Sequence, residues 1–357
     1  MSDIPVRKVV VEIKDYVPGK TPQEPGVVKL ASNENPFGPS PKALEAIAKE
    51  ASRLQIYPDQ KSLTLREALA KKYSLVPANI ICGNGSDDIM QIIAATYLNP
   101  GEEVVIFEKS FSVYELITRL FAGQPRLVPL KDGQQDLNAA AKAVGQKTKI
   151  VFLTNPHNPT GTSLKKAELD EFIAKMPNRV LIVIDEAYAE FAEDVNFGDS
   201  LKYVRAGKSV IVLRTFSKYY GLAGLRVGYG ISSPEIAAPM LKTKMPFNVS
   251  RLAQVGAVAA LDDKAFTEET RRNNSEGKKY LYGQFDRLGV AYYKTEANFI
   301  FVDLKSSADE MFMSLMRAGV IIRPLTSFGF PQAIRVSIGM PEQNAKFIAA
   351  FETALRG

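Results

Sequence analysis

Histidine and cysteine occur once each in these 357 residues, as His157 and Cys82, and tryptophan does not occur. A single cysteine excludes an intramolecular disulfide, and a single imidazole excludes any metal site or proton relay that needs two. Much hydrolase and metalloenzyme chemistry goes with them, and no metal is expected. Long apolar runs are also missing. Stretches such as Val180–Ile184 are strand-sized, far short of the roughly 20 residues of a membrane span, and the N-terminal MSDIPVRKVVVEIKDY lacks the apolar core of a signal peptide. The net charge of +6 arises from bases interspersed with acids, without a run of five like charges, so neither nucleic acid nor membrane is expected as a partner. What is present suits a soluble globular protein. With 46% hydrophobic and 24% charged residues the chain can bury a sizeable core, and its length fits about two domains. The expectation is a soluble, cytoplasmic protein.

Pro18, Gly19, Pro22, Pro25 and Gly26 break up the first thirty residues, which read as an irregular arm. A helix should start at Pro41, with Ala43, Leu44, Ile47 and Ala48 on one apolar face. Short β-branched runs then recur at 79–82, 103–107, 149–154, 179–184, 209–214 and 226–231. Unbroken apolar runs of this size suit strands buried on both faces of a mostly parallel sheet with helices on either side. After about residue 250 the pattern changes to a long helix-compatible segment, then strands at 298–304 and 333–338 with helices around them. The expected division is an arm over 1–28 packing on the small domain or a partner subunit, a large α/β domain over 29–255, and a small α+β domain over 256–357.

In open α/β sheets ligands bind at the carboxyl ends of the strands. Four loops there carry candidate chemistry. Gly83-Asn84-Gly85-Ser86-Asp87 leads into a helix and could hold an anion on backbone N–H groups, or be an ordinary turn with Ser86 as cap. It does not match the dinucleotide fingerprint, because position 88 is Asp where a third glycine belongs. Asp185 closes an apolar strand and needs a cation, whether from a protein salt bridge or a ligand. Lys218 closes the next strand among small residues, a setting for covalent catalysis, and Arg226 offers a fork for phosphate or for a nearby acid. In Asn155-Pro156-His157-Asn158-Pro159 the amides are donors, and His157 is expected to face solvent as part of the loop's structure. A phosphate site, a reactive lysine and a buried aspartate together fit pyridoxal 5′-phosphate, whose aldehyde bonds lysine and whose ring nitrogen is held protonated by a carboxylate.

The ordered set KLASNENPFGPSP, IYPD, GNGSDD, NPHNPTG, IDEAY, RTFSKYYGLAGLRVGYG, PFNVS, NFIFV, IIRPL and IRVSIG, spanning residues 29 to 339, resembles the fold type I aminotransferases, and among them the histidinol-phosphate aminotransferase family. The resemblance implies a catalytic set of Lys218, bonded to the cofactor, Asp185 on the pyridine nitrogen, and Tyr188, which with Asn158 bonds the 3′-oxygen. It places Ser86, Asp87, Thr215, Ser217 and Arg226 around the phosphate, Phe111 against the ring, and Tyr57 at the phosphate of the other subunit of a homodimer. Arg335, Arg323, Tyr16 and Asn33 would hold the substrate. Three positions depart from the family pattern: His157 stands where Asn is more usual, and Phe111 and Phe247 where tyrosine is found. The implied reaction converts histidinol phosphate and 2-oxoglutarate to imidazole acetol phosphate and glutamate, in histidine biosynthesis. The alternatives are an aromatic aminotransferase, a decarboxylase of amino-acid phosphates, and a non-catalytic cofactor-binding regulator.

Overall fold

The computed structural model describes residues 4–13 and 26–356. Seven strands form the main sheet: β1 (Ile80–Gly83), β2 (Glu103–Phe107), β3 (Gln124–Val128), β4 (Thr148–Thr154), β5 (Leu181–Asp185), β6 (Val210–Thr215) and β7 (Gly228–Ser232). Their order across the sheet is β1-β7-β6-β5-β4-β2-β3. Only β7 runs antiparallel to its neighbours. The apolar runs sort onto the two faces as the two-residue period of a strand requires. Val105, Val151, Leu153, Ile182, Ile184 and Val212 join one buried cluster, while Val104, Ile106, Ile150, Phe152, Val183 and Leu213 join the other. The expected fold class, a mostly parallel sheet sandwiched by helices with a smaller α+β unit, is the one observed.

The smaller sheet is antiparallel, with β8 (Ala291–Tyr292), β9 (Phe299–Asp303), β10 (Arg323–Pro324) and β11 (Ala333–Ser337) in the order β8-β9-β11-β10. Its core contains Ile300, Val302, Ile334 and Val336 packed with Phe285, Phe347 and Phe351. The strap 26–37 ties the two sheets together. Its Val28–Lys29 pair lies parallel to Val320–Ile321, the Asn33 amide N–H donates to Ser337 Oγ at 2.8 Å, and Asn35 Nδ2 donates to the Tyr219 carbonyl at 3.0 Å.

Three local expectations need correction, and one strand lies outside the expected set. Residues 8–12 form a short helix within the arm. The helix Pro41–Glu50 starts where expected, with Ser40 Oγ accepting from Ala43 N–H, but only Ala43 of its apolar face is buried and Leu44 is 51% exposed. The long segment after residue 250 is two helices, Arg251–Leu261 and Lys264–Leu288, because Asp263 caps the second. Strand β3 has no β-branched run, and its Pro125 is tolerated because it lies at the sheet edge.

Candidate active site

The carboxyl ends of β1, β4, β5 and β6 converge on a cavity of about 240 Å³, closed on the far side by the small sheet. Its lining includes Asn33, Ser86, Asp87, Phe111, Asn158, Asp185, Tyr188, Thr215, Ser217, Lys218, Arg226, Arg323 and Arg335. Of the residues singled out in the sequence, Tyr57 is absent from it, and Tyr16 lies outside the described residues. Tyr57 is 76% exposed and stacks on Phe247 with ring centroids 4.7 Å apart. Phe247 also lies outside the lining.

Asp185 is the last residue of β5 and is 4% exposed. Its Oδ2 accepts from the Tyr114 hydroxyl at 2.6 Å and its Oδ1 from Ala187 N–H at 3.1 Å. Among the described residues no cationic side chain lies within 4.0 Å of it, so it has no protein salt bridge. Burial raises its pKa to about 6, opposed by the Tyr114 and Ala187 hydrogen bonds. A buried carboxylate without a cation at a cavity wall suits a protonated pyridine nitrogen.

A second group of lining residues has the makings of an anion cradle. Helix Ser86–Tyr97 opens onto it, presenting unpaired N–H groups and the positive end of its dipole. Gly85 precedes that helix at φ +94°, and a Cβ on Gly228 of β7 would fall 2.5 Å from Ser86 N. These glycines are needed, one for its backbone angle and one for close approach. Thr215 Oγ1 and Ser217 Oγ lie 2.9 Å apart, Arg226 Nη1 reaches Ser217 Oγ at 3.5 Å, and Arg226 Nη2 stands 3.6 Å from Asp87. The Arg226 fork thus has both roles left open by the sequence, beside an acid and facing an anion site. Lys218, also in the lining, donates from its Nζ to the Ser32 carbonyl at 2.9 Å. Burial, followed by the charge of Arg335, lowers its pKa to about 8, which makes the neutral amine accessible near pH 7–8. The aspartate, the amine and the cradle together fit pyridoxal 5′-phosphate.

The small sheet supplies cations. Its register sets Arg323 on β10 directly opposite Arg335 on β11, and like charges so placed are destabilising. Phe328 lies near both guanidiniums, with its centroid 5.6 Å from that of Arg323 and 6.0 Å from that of Arg335. Arg335 also donates to Asn158 Oδ1 and, at 3.0 Å, to the Ala31 carbonyl. Asn33 Nδ2 donates to the Tyr188 hydroxyl at 2.9 Å, so the two side chains flank the same space. Two adjacent forks make a receptor for a phosphate or carboxylate.

His157 overturns its expectation. It is fully buried, its Nδ1 is 2.8 Å from Thr160 Oγ1, and burial lowers its pKa to about 3, so it is a neutral element of the loop and not a solvent-facing one. The sequence reading missed Tyr114, Thr154, Ser32 and Phe328 in the lining. Tyr114 reads as a core aromatic on an apolar helix, and only the tertiary structure brings its hydroxyl to Asp185.

The aminotransferase class I and II family model matches residues 25–351. The histidinol-phosphate aminotransferase of Moorella thermoacetica is 47% identical over 98% of this chain and 92% of its own length. That of Symbiobacterium thermophilum is 42% identical over 98% of each chain. Among solved structures, histidinol-phosphate aminotransferase from Sinorhizobium meliloti in complex with pyridoxal-5′-phosphate superposes with a TM-score of 0.85 at 29% identity, covering 92% of this chain and 91% of that one. Aspartate aminotransferase from Thermus thermophilus with maleate shares the fold, with a TM-score of 0.81 at 22% identity and 92% and 91% coverage. Strand order, cavity and relatives agree, and the chain belongs to the class I and II aminotransferases.

Proposed function

We propose that this protein is a pyridoxal 5′-phosphate-dependent aminotransferase that takes the amino group of histidinol phosphate and passes it to 2-oxoglutarate, a step of histidine biosynthesis. The relatives support the activity, and the facing pair Arg323 and Arg335 is the observation that carries the substrate. Histidinol phosphate has a phosphate ester and no α-carboxylate, whereas glutamate has two carboxylates. One pocket must therefore accept anions of different shape, and two forks on adjacent strands can share either.

When bound, the cofactor supplies an aldehyde carbon and a ring that draws electrons from the substrate's α-carbon. In the proposed assignment Asp185 holds the proton on the ring nitrogen, and Asn158 and Tyr188 bond the 3′-oxygen. Ser86, Asp87, Thr215, Ser217 and Arg226 enclose the phosphate, and Phe111 covers the ring. Lys218 would be the base, its Nζ taking the substrate's α-proton and giving it back. Arg323, Arg335 and Asn33 hold the anionic end of the substrate. Comparing kcat/KM for histidinol phosphate and phenylalanine tests this reading. Arg323→Ala should cost about 2 kcal/mol with the phosphate substrate and much less with phenylalanine. Equal losses, or a wild type that prefers phenylalanine, would move the protein to the aromatic aminotransferases.

A homodimer with shared sites is part of the proposal. Leu54, Ile56 and Tyr57 are exposed beside Met245 and Phe247, and the Tyr57–Phe247 stack joins the two runs, as a surface awaiting a partner would require. Tyr57 would then complete the neighbour's phosphate site. Mixing Tyr57→Ala subunits with Lys218→Ala subunits should restore activity, and none should return if Tyr57 stays with its own chain. No helix among the described residues is long and apolar enough to cross a membrane, in keeping with a cytoplasmic location.

A further inference from the structure

Tyr114 is 1% exposed on helix Val113–Leu120. Its ring stacks on Phe152 with centroids 4.7 Å apart and meets Phe111 edge-on at 5.7 Å. A phenylalanine would keep both contacts, so the hydroxyl is what calls for an explanation. It donates to Asp185 Oδ2 at 2.6 Å and lies 3.0 Å from Thr154 Oγ1. Thr154 is fixed in turn by the buried side chain of Gln135, which donates to its carbonyl at 2.6 Å and accepts from its N–H at 3.0 Å. The phenol is thus anchored on one side and aimed at a carboxylate on the other. A hydrogen bond donated to a carboxylate favours its charged form.

We propose that Tyr114 is a positioning residue for the cofactor's ring nitrogen: its hydroxyl keeps Asp185 charged, so that the proton they share stays on the nitrogen. This rests on the cofactor reading of the same pocket. The other groups around Asp185 act the opposite way or assist weakly. Burial favours the protonated acid, as do the negative charges of Asp87 on helix Ser86–Tyr97 and of Glu186 next in the chain, while the Ala187 N–H sides with Tyr114. Without the hydroxyl the proton shifts toward Asp185. The ring then loses positive charge, and with it the ability to draw electrons.

The test uses the holoenzyme as wild type, Tyr114→Phe and Thr154→Val. The readouts are the pH midpoint of the bound cofactor's visible absorbance and cofactor retention on dialysis, each repeated with a cofactor analogue carrying carbon in place of the ring nitrogen. In Tyr114→Phe the midpoint should rise by at least about half a pH unit and the cofactor should leave about threefold faster or more. Thr154→Val should move both the same way by less, and it stands as the test if Tyr114→Phe does not fold. With the analogue all three proteins should agree. Unchanged midpoints, or equal changes with the analogue, overturn the proposal by making Tyr114 a packing residue. A wild type that takes up no cofactor overturns the parent reading instead.

Discussion

Asp185 and Glu186 are neighbours in the chain, both buried, and they are provided for in opposite ways. Glu186 Oε2 accepts from Arg214 Nη2 at 2.7 Å and Nε at 3.0 Å, and Arg214 Nη1 donates to the Tyr73 hydroxyl at 3.1 Å and stands 4.0 Å from Glu190. Asp185 has a phenol and an amide but no cation among the described residues. Burial raises both carboxyl pKa values. Asp185 ends β5 and Glu186 follows it, still bonded through its N–H to the Leu213 carbonyl of β6, so one short segment carries a compensated charge into the protein's interior and an uncompensated one to the cavity. The difference teaches where to look for a ligand: at the buried charge the fold has left unbalanced.

The comparison can be broken most forcefully on the compensated side. Arg214→Leu leaves Glu186 buried without its cation and should lower stability by about 3–5 kcal/mol in denaturant unfolding. A loss below about 1 kcal/mol would mean the pair contributes little. On the other side, Asp185→Asn should change stability with the reverse sign. Its native pKa of about 6 exceeds the ordinary 3.8, so the folded apoprotein binds more protons than the unfolded chain between those values and loses stability as pH rises through them. At pH 7 the cofactor-free Asn variant should therefore be more stable than wild type by about 2–3 kcal/mol, from 1.4 kcal/mol per pKa unit. The gain should vanish below about pH 3, under both pKa values, and it would be absent altogether if Asp185 were paired. The smallest effect is on cofactor uptake. Relative to Asp185→Asn, wild-type affinity should fall by about half from pH 7 to pH 6 and to about a tenth by pH 5, as the carboxylate takes up its proton. A flat ratio would show that its charge does not matter to binding.

The strands that carry the site were legible because burial on both faces leaves an unbroken apolar run, and the loops after them because glycine, proline and polar residues interrupt it. Strand β3 was not, since an edge strand can be polar and contain proline. Arg323 and Arg335 could be singled out along the chain, but their facing each other is a matter of register. That register is set by pairings with β9 and β11 rather than by either segment alone. His157 and Tyr114 were misread or missed for the same reason. A histidine in a polar loop and a tyrosine on an apolar helix take their roles from the tertiary structure, which buries the one completely and brings the other to Asp185, 71 residues away.

The strap at 26–37 bears on how the enzyme is made. Its Asn33 bonds Ser337, 304 residues later, and its Ser32 carbonyl receives the Lys218 amine. Synthesis runs toward the C-terminus, so the strap emerges 304 residues before the strand it bonds. The nascent chain can therefore build the main sheet early, yet this side of the cavity has no wall until the segment around Ser337 has emerged. Lys218 is thus walled in on that side only after the small sheet has been made.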